Sequence, residues 1–409
     1  MELTTNKLLE LSKEFGDGFY LLDSAQFEKN YIDLSNAFKK YYSKFNIAYS
    51  YKTNYTPKLV KIVDKHGGYA EVVSDLEMDI ALKSGVKYSR IIWNGPIKNL
   101  IRVEELLVNG GTVNVDTIME MQNILEITKK YPDKEVNVGL RCNFDVGDGV
   151  VSRFGFDVES DDFKKVLNLI KDTKNIRLIN LQCHFAKRSP EYWSARANGM
   201  VETTRKVKEV IGYYPRRVDL GGGIYGNMPG SLKEQLKVNV KGFDEYADKA
   251  GKIFNEAFGN LSDEEKPELL VEPGSALAGD SMKFVARVET IKDIRDKTFV
   301  ALMGSQKNIS MSGINPPMEI YRTSDKQENI KEGDFVGYTC IESDVLYKNY
   351  NGKIGIGDFV VFSNCGSYSL VMKPPFIMAN CPVIDICDGN TEVIKRKETF
   401  EDLFITYNF

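Results

Sequence analysis

Four places in the chain set a reactive side chain at the end of a short apolar run. Lys52 closes Phe45-Asn46-Ile47-Ala48-Tyr49-Ser50-Tyr51, and a lysine held in the mouth of a fold is an amine that can form a Schiff base with an aldehyde. His184 closes Leu181-Gln182-Cys183, where a flat imidazole can stack on an aromatic ring. Asp219-Leu220 runs into Gly221-Gly222-Gly223, whose backbone can come close to a ligand and whose N–H groups can hold a phosphate. Glu272 follows Leu269-Leu270-Val271, and an acid ending a buried run needs a cationic or protonated partner. Taken singly, each has a plain reading: a solvated lysine, a satisfied core histidine, an ordinary glycine turn, and a salt bridge from Glu272 to Arg141, which ends another run. Taken together, an amine, a ring-stacking imidazole, a phosphate cradle and an acid for a ring nitrogen describe a site for pyridoxal 5'-phosphate (PLP).

Gathering these groups around one point requires a fold whose strand ends converge. Runs rich in Val, Ile, Leu and Tyr are expected as strands at 46–52, 69–73, 90–94, 112–116, 136–142, 177–184, 217–220 and 268–272. Near-continuous apolar runs suit strands covered on both faces. Helical patterns lie between them at 56–66, 75–84, 97–108, 117–130, 160–172, 190–212 and 242–259. This alternation is the pattern of a (β/α)8 barrel, whose functional groups sit at C-terminal strand ends and whose loops after strands seven and eight often hold phosphate. The expected fold class is therefore α/β: a TIM-like barrel over 26–280, then a C-terminal all-β domain over 281–409. In that second domain 282–288, 298–303, 334–340 and 358–363 read as strands, with Gly and Asp turns between them. Residues 1–25, with Gly18-Phe19-Tyr20-Leu21-Leu22-Asp23, are expected to add a strand.

Composition narrows the function classes. The formal net charge of −4 leaves no basic footprint for nucleic acid. No stretch approaches the roughly 20 apolar residues that span a bilayer, and Met1-Glu2-Leu3-Thr4-Thr5-Asn6-Lys7 has no apolar signal region. The cysteines Cys142, Cys183, Cys340, Cys365, Cys381 and Cys387 are scattered without a CxxC pair. They read as reduced thiols in a cytoplasmic protein, with no disulfide framework and no metal site.

At this point the chain resembles the fold-type III PLP-dependent decarboxylases, the diaminopimelate, ornithine and arginine decarboxylase group, which shares its barrel with alanine racemase. Tyr49-Ser50-Tyr51-Lys52-Thr53-Asn54 resembles their Y-A-x-K-A-N, and Tyr69-Ala70-Glu71-Val72-Val73-Ser74 with Glu77 resembles D-x-x-S-x-x-E. Ser152-Arg153-Phe154-Gly155 resembles S-K-F-G. Gly221-Gly222-Gly223, Glu272-Pro273-Gly274, the Cys340…Asp344 spacing and Gly366-Ser367-Tyr368 follow in the family's order, so the resemblance covers about Phe19 to Phe376.

The resemblance implies a PLP-dependent amino-acid decarboxylase working as a homodimer with shared active sites. Lys52 would carry the cofactor, His184 would stack on its ring, and Glu272, with Arg141 nearby, would keep the ring nitrogen protonated. Gly221, Gly222, Gly223, Ser74 and Tyr368 would belong to the cofactor site, and Cys340, with Asp344, would reach the substrate from the neighbouring subunit. Departures from the pattern point to a different substrate. Ser275 replaces the phosphate-binding arginine of E-P-G-R, and His184-Phe185-Ala186-Lys187 replaces H-x-G-S, so Lys187 is expected to restore the lost charge. Ile341 replaces the acid after the cysteine, Asn315-Pro316-Pro317-Met318-Glu319-Ile320-Tyr321 replaces R-P-x-L-Y, and Pro374-Pro375-Phe376 replaces F-N-G. A modified or conjugated amino acid from a specialised pathway is the expected substrate. The alternatives are an amino-acid racemase of the same fold and a catalytically impaired PLP-binding regulator. Glu272 argues against the racemase, whose ring nitrogen faces an arginine.

Overall fold

The computed structural model describes residues 3–311 and 313–409. By its internal contacts the chain forms two units: Glu28–Gly226 with Val240–Ala276, and Met1–Phe27 with Asn227–Asn239 and Leu277–Phe409.

The first unit is a closed parallel barrel of Phe45–Ser50, Tyr69–Val72, Ile91–Trp93, Thr112–Val115, Val136–Asn143, Ile176–Gln182, Arg217–Asp219 and Glu268–Val271. Each strand pairs with the next, and the eighth closes on the first through Leu269 opposite Phe45. Every expected barrel strand falls on one of these. The helices behind them follow from caps and spacing. Ser74, Thr117 and Ser160 each accept the backbone N–H three residues on, opening Asp75–Lys83, Ile118–Lys130 and Asp161–Asp172. Helix Pro57–Lys65 starts with proline in its first turn and buries Leu59, Val60, Ile62 and Val63 along one face. Among the helices not expected from the sequence are Ser24–Lys39, and, in the second unit, Thr5–Phe15 and Gly230–Leu236.

The barrel interior is polar near its C-terminal end. Asn180 donates to Asn114 Oδ1 at 2.9 Å, and Asn114 donates to Asn94 Oδ1 at 2.6 Å. Gly139 makes room for this chain of amides, because a Cβ there would lie 1.8 Å from Asn114 Oδ1.

The second unit is built on a largely antiparallel sheet. Its main path runs Val345–Ile354, Glu328–Val336, Lys297–Leu302, Met282–Ile294, Gly18–Leu22, Val383–Asp385 and Glu392–Lys395, with Phe359–Phe362 pairing Met282–Ile294 and Met318–Tyr321. Leu8, Leu11, Phe19, Leu21, Val285, Phe359, Val361 and Ile384 pack into one core on this sheet. The strand expected over 334–340 ends at Val336, because Val336 pairs with Val345 and the chain between them turns. Cys340 is therefore in a turn, not a strand. Strand Val345–Ile354 was hidden from sequence reading by Asn349 and Gly352, which look like turn residues but lie inside an irregular hairpin.

Candidate active site

Lys52 stands two residues past the first barrel strand, in a single 3₁₀ turn, Tyr51–Thr53. The turn is braced by Ser50 N–H donating to Pro273 O at 3.2 Å and by Tyr49 Oη donating to Asn54 O at 2.7 Å. Lys52 Nζ meets Glu71 Oε2 at 2.7 Å, and the side chain remains 38% exposed while Glu71 is fully covered. Ser50 lies directly opposite Glu71 in the strand register, and its hydroxyl donates to the same oxygen at 2.6 Å. Burial pushes the Glu71 carboxyl up, but the Lys52 ammonium and the hydrogen bonds from Lys52, Ser50 and Asn94 hold it below the usual carboxylate range. Burial pulls the Lys52 amine down, and the charge of Glu71 overrides it and holds the amine above its ordinary value.

Beyond Glu71 the acids form a row. Asn94 Nδ2 donates to Glu71 Oε1 at 2.9 Å and to Glu272 Oε1 at 2.5 Å. The amide chain from Asn180 through Asn114 fixes which way round Asn94 faces. Gln182 Nε2 donates to Glu272 Oε2 at 3.2 Å. Burial, with the Asp219 and Glu71 carboxyls alongside, pushes Glu272 well above the carboxylate range. Burial likewise pushes Asp219 up to about 7. Arg141 is not the partner of Glu272. Its guanidinium lies 3.8 Å from Asp116 and stacks on Phe154 at 4.4 Å, so the salt bridge considered from sequence does not form.

His184 and the glycine turn are one construction. Gly222 N–H donates to His184 Nδ1 at 3.0 Å, which leaves the ring proton on Nε2. Burial, with the positive charges of Lys52, Arg196, Arg141 and Arg188 around it, holds the imidazole well below its usual pKa, so the ring is neutral. Gly221 has φ +71, and a Cβ there would lie 2.2 Å from Cys183 O, so only glycine fits. Arg196, fully buried on helix Glu191–Ile211, donates to Leu220 O at 3.1 Å, Gly222 O at 2.7 Å and Lys187 O at 3.3 Å. Among the described residues the N–H groups of Gly223 and Ile224 meet no acceptor. Lys187 is exposed. Arg188 is half-buried beside Gly223, its Cγ 3.7 Å from where a side chain on Gly223 would begin. Ser275 opens the short helix Ser275–Ala278 just after Glu272-Pro273-Gly274. Ser74 is engaged as the cap of Asp75–Lys83.

The barrel unit thus brings Lys52, His184, Glu272, Arg141 and the Gly221–Gly223 turn together. Cys340, Asp344 and Tyr368 belong to the other unit. Cys340 is exposed in the turn between Val336 and Val345. Asp344 is buried beneath that turn. Its Oδ1 accepts from Ser305 Oγ at 3.0 Å and Gln306 N–H at 2.7 Å, and its Oδ2 from Thr339 Oγ1 at 2.6 Å and Thr339 N–H at 3.3 Å. Tyr368 is in left-handed backbone, φ +64. Sequence reading missed Glu71, Asn94, Gln182, Arg188, Arg196 and Asp219. Glu71 and Asp219 carried a signal, since an acid inside an apolar run needs a partner. Asn94 and Arg196 carried none, because an amide at a strand end and an arginine in a helix look like surface residues.

A family model described as "Pyridoxal-dependent decarboxylase, pyridoxal binding domain" matches residues 25–279. The diaminopimelate decarboxylase of Methanocaldococcus jannaschii is 26% identical, over 97% of this chain and 92% of its own length. A crystal structure of diaminopimelate decarboxylase from M. jannaschii has the same fold, with a TM-score of 0.86 at 23% identity, covering 98% of this chain and 94% of that one. So does the lysine decarboxylase of Selenomonas ruminantium, with a TM-score of 0.76 at 20% identity, covering 94% and 96%.

Proposed function

The chain belongs to the pyridoxal-dependent decarboxylase family and is a PLP-dependent carboxy-lyase of amino acids, and we propose that its substrate is a modified or conjugated amino acid with no free carboxylate at its far end. Membership leaves the racemase and regulator alternatives without support. The observation that carries the substrate reading is Asn315, at the head of the stretch that stands in place of R-P-x-L-Y, where the resemblance puts an arginine for the distal carboxylate of diaminopimelate. Its backbone N–H donates to Gln235 Oε1 at 2.8 Å and its carbonyl accepts from Gln235 Nε2 at 2.9 Å. Its side-chain amide donates to Lys348 O at 3.0 Å and accepts from Lys348 N–H at 2.9 Å. Its amide oxygen and one amide N–H are both engaged, and the position offers no charge for a distal carboxylate. Ile341, 45% exposed where the family usually has an acid, points the same way.

The donor set supports the cofactor. It offers an amine at Lys52, an acid at Glu272, a neutral flat ring at His184 and free N–H groups at Gly223 and Ile224. Bound there, PLP supplies an electron sink for the pair left on Cα when the carboxylate departs as CO2. Lys52 Nζ provides the amine that holds the aldehyde carbon. Glu272 keeps a proton on the ring nitrogen, because an adjacent opposite charge stabilises the charged form. His184, being neutral, supports the ring face without adding a charge. Gly221–Gly223, Ser275, Ser74 and Tyr368 bind the phosphate, with Lys187 and Arg188 supplying positive charge. Arg141 orients the ring edge. We assign proton delivery at Cα to Cys340 of the partner subunit, in a homodimer with shared sites. Asp344 holds the turn that carries Cys340. The cytoplasm is the compartment we propose, since no disulfide joins any of the six cysteines.

Carbon dioxide release from a panel of amino acids tests the substrate reading. Blocked or conjugated substrates should exceed diaminopimelate by about tenfold or more in kcat/KM, the worth of one missing charged contact. The second reading, diaminopimelate itself, is favoured by the names of the relatives. It stands if diaminopimelate is turned over as fast as any member of the panel.

A further inference from the structure

We propose that Asp219 is a positioning residue that shares one proton with Glu272 and donates it across the pair, leaving Glu272 free to turn a charged oxygen to the ring nitrogen of the cofactor. The inference rests on the assignment of Glu272 to that nitrogen.

Asp219 ends the seventh barrel strand and Glu272 follows the eighth, its neighbour in the sheet. Asp219 pairs with Leu270, and Glu272 N–H donates to Gly221 O at 2.9 Å. Both side chains are buried, 0% and 3% exposed. Asp219 Oδ1 accepts from Gly221 N–H at 2.8 Å. Asp219 Oδ2 is buried and reaches no donor among the described residues, and Glu272, two residues past the Leu270 that lies opposite Asp219, projects from the same face of the sheet beside it. Two ionised carboxylates have only acceptors to offer each other, so two acids buried side by side meet in a hydrogen bond only if they hold one proton between them. Nearby charges do not remove the need for it. The groups facing the pair are Glu71, Lys52, Arg217, Arg196 and the Cys183 thiol. Lys52 is engaged by Glu71, Arg217 donates to Thr112 Oγ1 at 2.7 Å, and Arg196 is spent on carbonyls. Glu272 accepts from two side-chain amides, whereas Asp219 accepts one N–H. More donors favour the ionised form, which puts the charge on Glu272 and the proton on Asp219 once a cation faces Glu272. Burial pushes both carboxyls up, toward keeping a proton on the pair, and only a cation facing Glu272 draws the charge to that side.

Infrared difference spectra of the full chain, with and without PLP at neutral pH, test the pair. Asp219→Asn keeps the shape, an acceptor for Gly221 and a donor for Glu272. Parent minus variant should show the band of one protonated carboxyl in both states, and the variant should hold PLP within about threefold of the parent. Carboxylate bands in that difference would overturn the proposal. Glu272→Gln is the second variant. It lets the lone Asp219 ionise, so the protonated-carboxyl band should vanish, and its persistence would also overturn the shared proton. The cofactor's absorption separates the two readings. If Glu272→Gln leaves the spectrum of bound PLP unchanged, the ring-nitrogen assignment fails while the shared proton stands.

Discussion

In the barrel unit, Lys52, Glu71, Asn94, Glu272 and Asp219 are packed against one another at the ends of strands, and each tunes the next. In the β unit, Cys340 is exposed at a turn whose shape is held by the four hydrogen bonds of Asp344. The first region sets the ionisation of its groups by crowding charges out of water. The second fixes only where a thiol stands, and its chemistry waits on what the turn is brought against. Electrostatic tuning therefore belongs to the barrel, while the turn contributes geometry.

The comparison can be broken at its strongest point first. Lys52→Ala should lose at least ~10³-fold in activity, because it removes a group acting as part of a unit. Borohydride should fix PLP to the peptide holding Lys52 in the parent, and labelling of another lysine would end the assignment. The barrel's crowding should next appear as a pH effect on the cofactor-free protein. Glu77 is buried and pushed up to about 7 by that burial, with its Oε2 accepting Val73 N–H at 2.8 Å. A carboxyl raised in the fold contributes stability that is complete below its unfolded pKa near 4 and is lost as pH rises through about 7. That loss should amount to about 4 kcal/mol, at roughly 1.4 kcal/mol per pH unit over about three units. Glu77→Gln, which keeps an acceptor for Val73, should flatten the stability curve over this range. An unchanged curve would mean Glu77 is ionised throughout.

The turn should answer differently. Asp344→Asn turns an amide donor toward donors in place of one accepting oxygen and should cost about 2 kcal/mol of stability, measured by denaturant melts. Full stability with lost activity would move Asp344 from holding the turn to touching substrate. Back in the barrel, Arg188→Ala should weaken PLP retention by about tenfold, the worth of one charge-assisted hydrogen bond, and Lys187→Ala by less. Equal retention in both variants would leave the phosphate charge to neither. The smallest signal joins the regions. If Lys52→Ala and Cys340→Ala subunits exchange freely, activity should recover to roughly a quarter of wild type, since half the dimers are mixed and each has one intact site. No recovery despite exchange would return Cys340 to its own subunit.

Much of this was legible in the sequence for definite reasons. The barrel strands were, because burial on both faces demands unbroken apolar runs that stand out against helical spacing. The strand-end positions of Lys52, His184, Gly221–Gly223 and Glu272 were legible because parallel topology sends all C-terminal ends to one mouth. Strand Val345–Ile354 was not, because Asn349 and Gly352 break the alternation that marks a strand.

The sequence by itself determined the fold class, the family and which residues could meet a cofactor, since these depend on residue type and order along the chain. Only the tertiary structure decided who partners whom. It gave Lys52 to Glu71 and Arg141 to Asp116, set Asn94 between two acids, and put Asp219 on the strand beside the one that leads to Glu272. These pairings join residues up to 178 positions apart across strands that are neighbours only after closure. Their energies come from exclusion of water, which is a property of the closed barrel and of no segment of the chain.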